Sequence, residues 1–305
     1  MTVPYTVVGE GSGTVPNHSG LTVALMVRGL LASREDLART ARRVQPARIL
    51  FLEERPVHYD VDALVSTYPE LRVLYFKEQV SRGQMVEVAL SEAATDYVLV
   101  LDGPVHDLRL PRRLPVPEED VVVSVPALRF AGEPLPSVYA PAFSRRLLKV
   151  LPLGRPAGGT PTILMPGYTG LYRRDLVEAV GGFDPEIPHP YWQRLEFAFR
   201  CFLFGYRLLY YPHVEVELFS QPAPEDLTPD SSSFRFFLKV LAPRRKEGRM
   251  HLSLWRALHA GIRAGVGWQR AVREFRDVRR WLEETEGLFR QDAVTLVASW
   301  EVEEV

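Results

Sequence analysis

The sequence predicts an α/β protein, with a mostly parallel sheet flanked by helices and a helical C-terminal extension. Three observations carry that expectation. Short apolar runs alternate with amphipathic stretches between residues 21 and 102, the pattern of crossover units that join parallel strands. Those runs are only six or seven residues long, too short for helices. Beyond residue 250 the apolar residues change to helical spacing, with Trp255, Leu258 and Ile262 on one stripe and Trp268, Val272, Phe275 and Leu282 on another.

The first strong strand runs from Leu21 to Val27, and the Gly-rich stretch before it marks residues 1–20 as a flexible N-terminal segment. Ser33 opens a helix, because its hydroxyl can cap the turn that holds Asp36, ahead of Leu37, Ala41 and Val44 at helical spacing. Residues 47–53 form a second strand, 60–67 a short helix, and 71–76 a third strand rich in β-branched and aromatic residues. A helix over 84–94 turns Met85, Val88 and Ala93 inward, and the strand from Tyr97 ends on the carboxylate of Asp102. Parallel sheets bind ligands at the carboxyl ends of their strands, which makes Arg28, Glu53, Glu54 and Asp102 candidate site residues.

Prolines leave 103–119 without periodicity, 121–125 is a strand, and 132–167 is loop-dominated and a place for acceptor or partner contacts. A helix over 174–180 stops at Gly181-Gly182, and a second from Tyr191 stops at Gly205. Residues 206–218 return as extended chain, with Pro212 marking an edge or bulged strand. After Ser220 a linker rich in Pro, Asp and Ser leads to the helical tail.

Composition narrows the function classes. Thirty-seven Lys and Arg against thirty-eight Asp and Glu argue against a chain built as a whole to coat nucleic acid. No apolar stretch reaches the roughly 18 residues of a membrane span, and the N-terminus lacks a basic leader. The single Cys201, in an aromatic helical run, reads as a small buried hydrophobe, and the setting it suggests is the cytoplasm. Gly9 to Gly13 lacks the following helix and Lys-Ser/Thr of a phosphate loop, no Cys or His pairing suggests zinc, and no Gly-x-Ser-x-Gly elbow occurs.

Two segments resemble the family 2 glycosyltransferases, GT-A-fold enzymes that move a sugar from a nucleotide-diphosphate donor to an acceptor. In 21–102, the order strand, helix, strand ending in Glu53-Glu54, strand, Gly83, helix and Asp96-Tyr-Val-Leu-Val-Leu-Asp102 is similar to the family's nucleotide-binding half. The second segment is Gly170-Leu-Tyr-Arg-Arg-Asp-Leu-Val-Glu-Ala-Val-Gly-Gly-Phe-Asp184, followed by Tyr191-Trp192, Glu196, Arg200, Gly205-Tyr206-Arg207 and Tyr211-Pro212. The resemblance implies a GT-A-like domain over 21–220 and a linker with a basic helical extension over 221–305. It also implies a nucleotide-sugar donor and a glycan, lipid-phosphate or protein acceptor.

By the same resemblance, Arg28, Glu53, Glu54 and Asp102 face the donor, the two glutamates replacing aspartates that contact the nucleobase. A Mn or Mg ion would be clamped at the strand end by Asp102, as Lewis acid for the leaving diphosphate. The family's Asp-x-Asp reads Asp102-Gly103-Pro104 here, and proline offers no side-chain ligand, so His106 and Asp107 become the substitute metal ligands. The acidic pair that activates the acceptor is Gln193-Arg194, which accepts no proton at neutral pH. Asp184 and Glu196 are the nearest carboxylates and stand as catalytic candidates. Leu218 takes the place of a late histidine, and His213 falls on the wrong face of a regular strand. Two functions fit this pattern: a diverged transferase, or a catalytically silent GT-A-fold module that binds or scaffolds a glycan, a nucleotide or a partner enzyme.

Between Arg235 and Arg280 there are thirteen Lys and Arg against three acids. Two readings stand: a solvated basic face backed by a core-facing stripe, or a surface that contacts the inner face of a membrane or a partner protein. Nucleic acid fits less well, because the tail's aromatics follow helical core spacing and do not interleave with its basic residues.

Overall fold

The computed structural model describes residues 3–10, 20–27, 32–54, 59–111, 114, 118–145 and 147–300. In chain order the first half comprises β1 (Tyr5–Val8), β2 (Leu21–Val27), α1 (Arg34–Arg42), β3 (Arg48–Glu53), α2 (Val61–Thr67), β4 (Leu71–Phe76), α3 (Arg82–Glu92), β5 (Tyr97–Asp102) and β6 (Val105–Arg109). Next come β7 (Val121–Phe130), β8 (Glu133–Leu135), β9 (Tyr139–Ser144), β10 (Leu147–Pro152), β11 (Gly170–Arg173), α4 (Arg174–Ala179), α5 (Pro190–Leu203) and β12 (Arg207–Leu218). The tail adds α6 (Ser231–Phe236), β13 (Arg244–Lys246), β14 (Arg249–His251), α7 (Leu254–Arg263), α8 (Trp268–Thr285) and α9 (Ala293–Ala298).

One large sheet runs in the order β1-β4-β3-β2-β5-β11-β7-β12-β6, with β8 paired to β7. Strands β4, β3, β2, β5, β7 and β12 share one direction, while β1, β11, β6 and β8 oppose it. Burial on both faces explains why β2 reads as an unbroken apolar run. Its Leu21, Val23 and Leu25 join Leu37, Ala38 and Ala41 of α1 in one core layer. Ala24 and Met26 face the other layer, with Met85, Val86 and Ala89 of α3 and most of α5.

Ser33 caps α1 as expected, accepting the Asp36 N–H, and Ser81 makes a capping box with Gln84 that starts α3 two residues before the expected residue 84. The chain steps from β2 outward to β3 and β4, then crosses back to place β5 on the other side of β2. That reversal makes the carboxyl ends of β2 and β5, where Asp102 lies opposite Met26, the switch point at which such sheets bind ligands.

Four expectations about the elements need correction. Tyr5–Val8, inside the segment expected to be flexible, is an antiparallel strand on β4. The proline-rich 103–119 stretch contains β6, and the expected strand at 121–125 continues to Phe130. The loop-dominated 132–167 region carries the β9–β10 hairpin, whose apolar residues sit in a Pro- and Gly-rich stretch that reads as loop. Strand β12 is bulged, one of the two readings that Pro212 allowed: it lies between β7 and β6, and Pro212 is accommodated in the register break between Tyr211 and Glu215. The tail shares the main core, with Phe234, Phe236, Phe275, Val278 and Leu282 buried in the same cluster as α5, in keeping with the core-facing reading of its second apolar stripe. Among the described residues, no helix is long and apolar enough to cross a membrane.

Candidate active site

At the carboxyl end of β5, Asp102 Oδ2 accepts from Arg82 Nη1 at 2.7 Å and from the Tyr168 N–H at 3.2 Å. The Asp102 N–H in turn donates to Thr169 Oγ1 at 3.0 Å, so strand end and the 166–169 turn are tied together. Its carboxylate is only 4% exposed. Gly167 lets the turn approach: it has a positive φ of 55°, and a Cβ there would stand 2.9 Å from Asp102 Oδ2. Arg82 Nε is buried and has no partner, leaving the guanidinium incompletely satisfied beside the switch point.

At the end of β3, Glu53 is gripped by Arg34, with Nε on Oε1 at 2.7 Å and Nη2 on Oε2 at 3.0 Å. Tyr59 donates weakly to the same carboxylate and receives the Tyr75 hydroxyl. Burial raises the Glu53 pKa, and the Arg34 charge offsets part of that rise. Both Glu53 oxygens are thereby occupied within the protein, which corrects its expected role as a direct donor ligand. Glu54 is partly buried just past the strand. Arg28 lies outside the described residues.

The three expected metal ligands do not converge. Asp107 is paired with Arg43 and Arg109, each at 3.2 Å, and His106 packs edge-on against Phe219. Both line an open cavity of about 660 Å³ whose lining does not include Asp102. No group of three His, Cys, Asp or Glu side chains among the described residues is arranged to hold an ion. With Asp102 engaged by a guanidinium and Pro104 offering no ligand, the residues present do not fit the Mn or Mg that the resemblance implies.

The catalytic candidates are corrected as well. Lys239 Nζ sits 2.9 Å from Asp184 Oδ2 and 2.7 Å from Glu196 Oε1, and 4.3 Å over the Trp281 ring. Arg235 bridges Asp184 to Glu274, while Arg200 grips Glu196 through Nε and Nη2. Burial alone would raise both pKa values, but Lys239 and Arg235 beside Asp184, and Arg200 and Lys239 beside Glu196, hold both carboxyls below their usual range. This buried, charge-balanced network fastens the tail to α5 and to the loop before it, and neither acid is open to an acceptor.

Gln193 and Arg194 are equally committed. Gln193 Oε1 accepts from the Gly83 N–H and the Tyr168 hydroxyl, and its Nε2 donates to Ser81 Oγ and the Asp184 carbonyl. All the hydrogen-bonding capacity of that amide is used. Gly83 is required here, because a Cβ would stand 2.6 Å from Phe183 Cβ. Arg194 donates to the Met165 carbonyl, lies over the Tyr168 ring, and reaches Glu225 Oε2 at 2.6 Å.

Glu225 is the residue that sequence reasoning missed. It is carried by the Pro-rich linker, which folds back over the start of α5 through the Trp192 indole to Thr228 carbonyl bond and the Asp226–His189 contact. The Glu225 side chain is 37% exposed. Burial first, and the Glu225 charge second, push the Tyr139 and Tyr191 hydroxyls up, the latter to about 12. One accessible carboxylate thus lies among Arg194, Tyr139 and Tyr191 on the Asp102 side of the molecule. Only its acidic neighbour Asp226, in a proline-rich stretch, marked it in the sequence.

Solved structures supply the comparison. GalNAc-T7 with UDP, GalNAc and Mn2+ aligns with a TM-score of 0.54 at 15% identity, over 72% of this chain and 48% of that one. This chain therefore spans about half the length of that protein. TarS 1–349 of S. aureus aligns at 0.44 and 12% identity, over 88% and 73% of the two chains. The mannosyltransferase PcManGT from Pyrobaculum calidifontis, in complex with GDP-Man and Mn2+, aligns at 0.41 and 13%, over 97% and 82%. The likeness to GalNAc-T7 carries the assignment: the fold is that of the GT-A glycosyltransferases, as the sequence resemblance implied. No protein-family model matches the chain, and no curated protein matches it in sequence.

Proposed function

We propose that this protein is a glycosyltransferase that takes a nucleotide-diphosphate sugar, with the diphosphate held at the carboxyl ends of β2 and β5 beside Arg82 and Asp102. The observation that carries this reading is the Arg82–Asp102 pair at the switch point of a GT-A sheet, with one guanidinium nitrogen buried and unpartnered. A cation there neutralises charge that develops on the leaving diphosphate. GalNAc-T7 binds its UDP on the same fold, which supports a donor of that chemical class.

Glu225 is the proposed base. Its carboxylate takes the acceptor hydroxyl proton as that oxygen bonds to the anomeric carbon, the bond from that carbon to the diphosphate oxygen breaks, and the electron pair leaves on the diphosphate. Arg194 positions Glu225 through its Nη2 contact with Oε2. The silent-module reading is favoured by one fact, the saturation of Gln193 where an acid would serve as base. Release of nucleoside diphosphate from a panel of sugar nucleotides, with glycan, lipid-phosphate and peptide acceptors, separates the two. Acceptor-dependent release supports transfer. Nucleotide binding without release across the panel supports the silent module.

A further inference from the structure

Helix α7 leaves an apolar stripe uncovered. Ala257 and Gly261 seat the helix against the body, where a Cβ on Gly261 would stand 3.2 Å from Ala271 and 3.5 Å from Phe234. Beside that seat, Leu254, Leu258 and Ile262 follow at four-residue spacing, and Trp255 lies one heptad from Ile262 on the same side. Trp255 is 82% exposed and Ile262 76%. Just past the Gly265–Gly267 turn, Trp268 is 66% exposed.

Along the chain, the stretch that carries the stripe has charge of one sign. From Gly248 to Arg273 the chain contains five arginines and no Asp or Glu. On α7 the helical repeat puts His259, Arg263 and Arg256 along the flank of the stripe next to Trp255.

We infer that α7 and the following turn form a docking surface for an anionic lipid bilayer, with Trp255, Ile262 and Trp268 entering the headgroup layer and the arginines meeting lipid phosphates. Indole side chains favour that layer, and arginine stems run along apolar surface while their heads stay at the charged plane. A second copy of the chain fits poorly. Four convex side chains, with the aromatics offering about 150–250 Å² each, fall short of the roughly 800 Å² per partner that a stable interface buries. The acid-free flank would also face itself across a two-fold axis. This inference does not depend on which reaction the domain performs.

The test is flotation of the full chain with vesicles of phosphatidylcholine alone or with one third phosphatidylglycerol. Expected is binding to the phosphatidylglycerol vesicles only, weakened by salt. Trp255→Ser with Ile262→Ser should cut binding at least tenfold, and Arg263→Glu about as much, since each unit of charge near the surface contributes about fivefold. These side chains are exposed, so unchanged thermal midpoints serve as the control for folding. Absence of binding to anionic vesicles at low salt overturns the inference. So does equal binding to neutral vesicles, or a wild-type dimer in sedimentation that the Trp255→Ser, Ile262→Ser variant dissolves.

Discussion

Arg82 Nη1 lies 2.7 Å from Asp102 Oδ2, so the carboxylate at the switch point of the sheet faces a guanidinium. If that cation serves the diphosphate, nucleotide affinity should survive a chelator within a factor of two. Arg82→Met should weaken nucleoside diphosphate binding roughly ten- to a hundredfold, from the about 1.5–3 kcal/mol of a hydrogen bond to a charged group. Calorimetric titration with and without EDTA measures both.

Glu225→Gln keeps the size of the side chain and removes its basicity. Turnover should fall by roughly 10²–10⁴-fold with donor affinity unchanged, the usual range for a lost general base. Pre-steady-state release of nucleoside diphosphate is the readout, and a drop in donor affinity alone would assign Glu225 to binding instead.

Restoring an acid at the family position should do harm. Gln193→Glu removes the two donors that serve Ser81 Oγ and the Asp184 carbonyl, and sets a charge in a site with no exposure. The expected cost is about 1–3 kcal/mol of stability, from two lost hydrogen bonds and a carboxylate placed where none is solvated, with no gain in activity. Urea unfolding and the release assay together check this.

Lys239 is the shared cation of two buried acids. Lys239→Met leaves Asp184 and Glu196 facing each other with only their arginines, and should cost about 3–5 kcal/mol, the range for breaking a buried pair. Denaturant midpoints report it, and a change below 1 kcal/mol would contradict the packing described for this network.

Acid stability follows from the same groups. Asp184 and Glu196 titrate below their usual range in the folded chain, so the unfolded chain takes up protons first as pH falls. Their contribution is complete above about pH 5 and is lost progressively as pH drops through about 4 toward the depressed folded values. Lys239→Met should flatten this acid dependence, as seen in thermal midpoints across pH. An unchanged slope would mean that Lys239 does not set these pKa values.

The parallel half of the fold was legible because its signals are local. Buried strands such as β2 read as apolar runs, and Ser33 is a cap whose partner stands three residues on. Strands β1 and β6 were hidden by their shortness, and the β9–β10 hairpin by the Pro- and Gly-rich stretch around its apolar residues. At the site, Asp102 was visible from its place at a strand end, whereas Arg82, Glu225 and Lys239 gain their roles from contacts 20, 31 and 55 residues away in sequence. The misplacement of Asp184 and Glu196 has the same origin. Only the folded tail brings Arg235 and Lys239 onto them.

The most direct test of the central claim is calorimetric titration of uridine, guanosine and thymidine diphosphates into the wild type and the Arg82→Met variant, each in EDTA. The account predicts that at least one nucleotide binds the wild type without metal and binds the variant at least tenfold more weakly. Binding that appears only when manganese or magnesium is added, or that is unchanged by Arg82→Met, would contradict it.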